Sequence, residues 1–241
     1  METNTQARKV IQVLPAGTIS GEKPTTETPA TKLVNGTKYK AREASRIYSK
    51  AKKTSDFIDY DKAMLKGREL LWNDKQMVIG FYIIFSINTG LRVSDVLNIK
   101  HYFLKDLKPG DYLNVTEKKT KKIRRIQIND KILDAYLYLS KKLTEQRRYN
   151  SEGFVFTSQK NMVFATISLN RILKQIFAGY AENISTHSLR KSFGRRVYDS
   201  HQQSEHSLIV LSEMFNHTSM AITRRYLGIR QEEIDNVYLS L

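Results

Sequence analysis

Hydrophobic positions divide this chain into two regimes. Residues 1 to about 53 hold three of the four prolines, many threonines and few large aliphatics. Too little apolar surface is available there to offset the entropy of ordering the chain, so an arm without a packed core is expected. From residue 54 the pattern becomes periodic. TSDFIDYDKAM reads as a helix start with Ser55 or Asp56 as the capping side chain. DKQMVIGFYIIFSI is apolar on every face and predicts a buried helix, TG a turn, and SDVLNI the start of another helix. YLNVTE and IRRIQI alternate in the manner of strands and are joined by Lys118-Lys119-Thr120-Lys121-Lys122, which predicts a hairpin with a basic tip. In NDKILDAYLYLSKKL, Asn129 or Asp130 supplies the cap, and Leu133, Tyr136, Leu137 and Leu143 share a face at helical spacing. SLNRILKQIFAGY, THSLRKSFGRRVY, SLIVLSEMF, SMAITRRYL and QEEIDNVYLSL complete a series of short helices. The fold class that follows is mainly α with a small antiparallel β-sheet, and no internal repeat is visible.

Charge narrows the partner. Of 241 residues, 40 are Lys or Arg and 24 are Asp or Glu, a formal net charge of +16. Such an excess points to a polyanion, with nucleic acid ahead of an acidic membrane. The basic run Lys38 to Lys53 suits either DNA contact or a solvated linker. The longest apolar run, Met77 to Ile87, is about half of what a bilayer crossing needs, so no membrane partner is expected. The N-terminus lacks the apolar stretch and cleavage site of a secretory signal, and the cytoplasm is the compartment that follows. With no cysteine, neither a disulfide framework nor a thiolate metal site can form. Asp56, Asp59 and Asp61 cluster, but the glycine and distal glutamate of a calcium loop are missing.

Three motifs carry candidate chemistry: TGLRVSDVL around Arg92, THSLRKSF around His187 and Arg190, and FNHTSMAITRRY around His217 and Tyr226. Attack on a phosphodiester builds charge on the non-bridging oxygens, which guanidiniums hold through paired charge-assisted hydrogen bonds. Arg92 and Arg190 are the candidates for that clamp. A tyrosine phenol, with an ordinary pKa near 10, needs a base or a strongly positive surrounding before it attacks. His187 is the candidate base, and Lys119 has the reach to protonate a leaving oxygen. Singly, each residue has a plainer role: Arg92 on a helix-start surface, Lys119 in a solvated turn, His187 as a cap, His217 in the core, Tyr226 as packing.

Together, TGLRVSD, the hairpin lysine, HSLR, and NH followed by Tyr226 resemble the tyrosine recombinase (phage integrase) family in order and approximate spacing, over residues 54–241. The resemblance implies that fold's catalytic domain over 54–241 behind a basic arm over 1–53. It implies that Arg92 and Arg190 bind the scissile phosphate, that His187 transfers a proton and His217 donates a hydrogen bond to the phosphate. Lys119 is then the general acid, with Lys118, Lys121 and Lys122 as neighbours in register, and Tyr226 the nucleophile of a 3′-phosphotyrosyl link. Asp95 falls where the family often has an acid, orienting an arginine or histidine. The implied activity is site-specific recombination of double-stranded DNA, by integration, excision or inversion, without cofactor or metal. The implied partners are further copies of the chain in a tetrameric synapse on the nucleoid, with accessory DNA-bending proteins.

Some features depart from that pattern. Lys191 stands where many members have histidine, and Phe215-Asn216 where Leu-Gly is commoner. The segment ahead of residue 54 is about half as long as the family's core-binding domain, so the chain resembles a recombinase reduced to its catalytic domain. The C-terminal stretch, with Ile234, Val237, Tyr238 and Leu241 on one side, suits packing on a neighbouring protomer or on its own domain. The rivals are a type IB topoisomerase-like relaxing enzyme, a non-catalytic DNA-binding regulator, and a ribosomal or nucleoid packing protein.

Overall fold

A computed structural model of the chain describes residues 10–13, 33–34, 37–38 and 54–241. The chain divides into two units: Ala16–Thr54, and Met1–Pro15 together with Ser55–Leu241. Within the first, strands β2 (Leu33–Val34) and β3 (Thr37–Lys38) pair antiparallel. Most of the arm expected over residues 1–53, including nearly all of its basic run, lies outside the described residues.

The second unit carries the core and the site. Its first described element is strand β1 (Val10–Val13), within the stretch expected to be an arm without a packed core. The run VIQV has the β-branched character of a strand, and it pairs parallel with β4 (Tyr112–Thr116), Val10 opposite Tyr112 and Val13 opposite Val115. β4 in turn pairs antiparallel with β5 (Ile123–Gln127), the expected hairpin, giving a sheet of order β1-β4-β5. The pleat turns Leu113 and Val115 of β4, and Arg124 and Ile126 of β5, inward.

Helix α1 (Tyr60–Leu71) is capped by Asp59, whose carboxylate accepts from the Lys62 amide at 3.0 Å. Neither Ser55 nor Asp56 is the cap. Both tie the approach to α1 to a distant segment instead: the Ser55 hydroxyl lies 2.6 Å from that of Ser185, and Asp56 exchanges two 2.9 Å hydrogen bonds with the backbone of Asn183. Helix α2 (Met77–Thr89) is buried along its length except at Asn88, as its unbroken apolar pattern requires. It is the centre of the main core, where Phe81, Phe85 and Tyr82 pack around Phe156 at ring separations of 5.6 to 5.7 Å. Gly90 ends it in a left-handed conformation, φ 58°, and a Cβ at Gly90 would fall 2.3 Å from the Phe193 ring.

An equally close approach, to backbone this time, occurs at Gly80, where α1 and α2 touch: a Cβ there would lie 2.3 Å from the Leu71 amide nitrogen and 2.6 Å from the Gly67 carbonyl oxygen. Backbone cannot step aside as a side chain can, so the helices would have to part. Gly80→Ala is expected to destabilise the protein by about 3 kcal/mol, outweighing the helix propensity it gains. A denaturant melt with an unchanged midpoint would contradict that packing.

After the short helix α3 (Val93–Val96), a 3₁₀ turn (His101–Phe103) leads to the hairpin. Helix α4 (Asp130–Glu145) is capped by Asn129, which accepts from the Ile132 amide at 3.0 Å. Leu133, Tyr136, Leu139 and Leu143 are its buried stripe, whereas Leu137 is 59% exposed and does not belong to the face expected for it. Helices α5 (Thr166–Ile176) and α6 (Thr186–Ser200) follow, the latter with a capping box between Ser185 and Ser188. The chain finishes with α7 (Glu205–Phe215), α8 (Met220–Leu227) and α9 (Ile229–Ser240). A second core of Tyr198, Leu208, Leu211, Phe215, Leu227 and Ile229 joins α6 to these last helices. Among the described residues no helix is long and apolar enough to cross a membrane.

Candidate active site

The second core carries a polar roof, built around the C-terminal ends of two helices. One is the Thr89-Gly90 turn closing α2. The other is Phe215-Asn216 closing α7, where Asn216 takes the left-handed conformation, φ 53°, that most residues avoid and asparagine tolerates. These ends leave carbonyl oxygens without helical partners, and arginines fill that need. Arg190, from the buried face of α6, donates to the Gly90 carbonyl and, at 3.3 Å, to the Phe215 carbonyl, with its guanidinium 4.2 Å above the Phe215 ring. Arg92, at the N-cap position of α3, donates to the same Phe215 carbonyl at 3.0 Å. One carbonyl therefore sets two guanidiniums side by side, although 98 residues separate them in the chain (190 − 92).

Two further residues shape this centre, and the sequence reading did not single them out. Arg124, inward on β5, donates to the Gly90 carbonyl at 3.1 Å and to the Thr89 carbonyl at 2.6 Å. Burial lowers its pKa to about 10, with the positive Arg190 adding to the effect, and burial likewise brings Arg190 to about 10. Both stay charged at neutral pH. Glu117, fully buried at the end of β4, receives Arg92 Nη1 at 2.6 Å. Burial alone would raise its carboxyl, but the Thr120 hydroxyl and Arg92 outweigh it and hold the group below the usual range. Strand alternation was the available signal: it turns Arg124 inward, and a charged side chain turned inward demands a partner.

Tyr226 stands on α8 with its ring 5.6 Å from Phe215 and 5.4 Å from His217, and the Lys191 ammonium 5.3 Å from its centroid. Burial pushes the phenol above its ordinary value, against the pull of Arg190 and Arg92. Its hydroxyl is buried without a hydrogen bond of normal geometry, as are Glu117 Oε1 and Asp95 Oδ2. His217 Nδ1 is fixed 2.9 Å from the Thr223 hydroxyl. His187, in the first turn of α6, reaches solvent on one side. Its pKa is lowered by partial burial and then by Arg190, Lys191, Arg92 and Lys119, so it lies within range of all four cations. Lys119 is exposed on the hairpin turn. The structure thus gathers Arg92, Arg190, His217 and Tyr226 in direct contact around Phe215, with His187 and Lys119 at the rim. The Asp95 carboxylate accepts from the Lys118 amide at 2.9 Å and the Ser94 hydroxyl at 3.2 Å, which ties it to the hairpin, and it acts on Arg92, Arg124 and Arg190 through its charge.

Among the described residues no group of three or more His, Asp or Glu side chains could hold a metal ion.

A mainly helical domain with a β-hairpin beside a two-arginine centre and a buried tyrosine is the architecture of tyrosine recombinase catalytic domains. Solved structures agree on the fold. The XerH site-specific recombinase bound to palindromic difH substrate superposes with a TM-score of 0.58 at 20% identity, over 79% of this chain and 54% of that one. XerA recombinase gives 0.53 at 18% identity, over 78% of this chain and 65% of that one, and the Tn1549 transposon integrase with circular intermediate DNA gives 0.52 at 14% identity, over 80% and 69%. The chain thus spans about half the length of the XerH chain and about two thirds of XerA. The profile of the phage integrase family matches residues 40–233, and the Probable integrase/recombinase YoeC of Bacillus subtilis (strain 168) is 34% identical over 160 residues, 66% of this chain and 81% of that protein. The chain belongs to the phage integrase family.

Proposed function

We propose that the chain is a site-specific DNA recombinase that cleaves and rejoins double-stranded DNA through a 3′-phosphotyrosyl intermediate. The observation that carries this reading is the shared Phe215 carbonyl, which holds Arg92 and Arg190 side by side within reach of the Tyr226 phenol. A scissile phosphate entering there meets two guanidiniums whose remaining N–H groups face its non-bridging oxygens, and His217, fixed at Nδ1 by Thr223, offers Nε2 to the same group. The Tyr226 oxygen then forms a bond to phosphorus, the phosphorus to 5′-oxygen bond breaks, and Lys119 protonates the departing oxygen. His187 takes the phenol proton. In the second step a 5′-hydroxyl from the partner strand attacks the phosphotyrosine and releases Tyr226, so bond energy is kept and no nucleotide is consumed. The excess of basic residues serves the DNA backbone. Four copies on two sites, joined by accessory DNA-bending proteins at the nucleoid in the cytoplasm, complete the reading.

Covalent trapping tests it. Purified protein is mixed in EDTA with labelled, nicked DNA tiling the flanks of its gene, then resolved under denaturing conditions and mapped by peptide. An adduct at Tyr226 is the expected result. Tight binding with no adduct on any fragment would replace this reading with that of a non-catalytic DNA-binding regulator.

The state of the base is checked separately. His187 has its folded pKa below the ordinary 6.5, so its neutral, proton-accepting form persists as pH falls through 6.5, and the acid limb lies lower. An NMR titration of the His187 ring in the DNA-free protein is expected to show a midpoint below 6.5. A midpoint at or above the ordinary value would remove the neighbouring cations from the account.

A further inference from the structure

The buried Glu117 is not part of the phosphate clamp or of the nucleophile's immediate surroundings, yet it hydrogen-bonds three of the segments that build the site. Its Oε2 accepts from Arg92 Nη1 at 2.6 Å, from the Thr120 hydroxyl at 2.7 Å and from Asn216 Nδ2 at 3.0 Å. Arg92 belongs to the clamp. Thr120 adjoins Lys119, and Asn216 adjoins His217. The backbone of Glu117 also closes the turn that carries Lys119: its amide donates to the Lys122 carbonyl and its carbonyl accepts from the Lys121 amide, each at 2.9 Å. The Lys118 amide is held to Asp95 from the other side. The basic tip is therefore seated on a buried anion.

Asn216 gives the arrangement a chemical logic. Its left-handed backbone would suit glycine best, but glycine has no side chain to meet a carboxylate. Asparagine tolerates the conformation and supplies the third donor. Oxygen Oε2 thus accepts from three segments that lie far apart in the chain, while Oε1 has no partner. Removing the carboxylate would strand the donors and free the three segments from one another.

We infer that Glu117 is a positioning residue: it holds Arg92 of the phosphate clamp, the general-acid hairpin and the His217 loop in a single register. This inference rests on the roles proposed above for Arg92 and Lys119. Its consequence is a defect in placement, and placement can be bypassed chemically by altering the substrate. A sulfur in the 5′-bridging position leaves without needing a proton, which relieves the demand on Lys119. A methylphosphonate at the scissile linkage, with methyl in place of one non-bridging oxygen, carries no negative charge there, which relieves the demand on an arginine.

The test uses the nicked site located by covalent trapping and measures single-turnover cleavage at saturating protein. Glu117→Ala is expected to slow cleavage of the ordinary phosphodiester by about 10²-fold, with roughly tenfold of that recovered on the bridging-sulfur substrate. A comparable recovery is expected on the methylphosphonate. Thr120→Val cuts only the strut to the hairpin, so its smaller defect is expected to recover with sulfur and not with methylphosphonate; it also keeps the test alive should Glu117→Ala fail to fold. Equal defects on all three substrates in folded, DNA-binding variants would overturn the inference and leave Glu117 a structural residue. Lys119→Ala is the reference: if sulfur does not restore it, the role given to Lys119 falls, and Glu117 is then judged on the methylphosphonate alone. Absence of cleavage by the unaltered protein would instead overturn the recombinase reading itself.

Discussion

Tyr226→Phe is expected to abolish the covalent DNA adduct while leaving DNA affinity within about twofold and stability nearly unchanged. The separation of these three quantities follows from how the side chain is held. Its ring packs against Phe215 and His217, and a phenylalanine keeps both contacts. Its hydroxyl has no hydrogen bond of normal geometry, so its loss leaves no partner stranded and relieves a buried polar atom of about 1 kcal/mol at most. What disappears is the oxygen that bonds phosphorus. Adduct formation by the phenylalanine variant, read on a denaturing gel, would reject Tyr226 as the nucleophile. Equal loss of binding and cleavage would show that the hydroxyl serves DNA contact and is not purely nucleophilic.

The second large effect is expected at Arg190. Lysine there keeps the charge but loses the planar fork that reaches the Gly90 and Phe215 carbonyls together. Cleavage is expected to fall by about 10³-fold, the upper range for removing one preorganised donor from a developing negative charge. Affinity should change by only a few fold, because many lysines and arginines share the phosphate contacts. Arg124 still donates to the Gly90 carbonyl and Arg92 to that of Phe215, so neither is stranded and stability should fall by only about 1 kcal/mol, for the lost hydrogen bond. The rate and the melting midpoint must therefore be measured on the same preparation. A cleavage rate within about threefold of the unaltered protein would mean that Arg190 only braces the fold, with its guanidinium holding two backbone ends and nothing else.

How far the residues could be read in advance depended on the range of the forces involved. Helix α2 was legible because its composition leaves no polar face to turn outward, and the hairpin because alternation and a lysine-rich tip are local signals. Arg92, Arg190, His217 and Tyr226 lie in recognisable strings, and the structure does gather them. Glu117 and Arg124 were not legible in the same way. Their importance arises from partners 25 and 34 residues away, which no window of sequence contains. Asp59 won the cap of α1 over Ser55 and Asp56 because those two found partners on the segment before α6, a tertiary choice. Leu137 fitted the helical spacing of α4 but lies at the edge of its stripe, where Leu139 takes the buried place. Strand β1 needed the open edge of β4 to form against, about a hundred residues further on.

The turn that closes α2 has one more consequence. The peptide dipoles of a helix align along its axis, leaving roughly half a negative charge at the C-terminal end. In α2 that end is the Thr89-Gly90 pair, and the two groups resting on it are the buried guanidiniums of Arg124 and Arg190. Because the helix is sheathed in apolar side chains, water and salt screen this pole weakly. The greasiest element of the protein is thereby a counter-ion made of backbone. It helps two arginines remain cationic out of water, in concert with the buried carboxylates of Glu117 and Asp95.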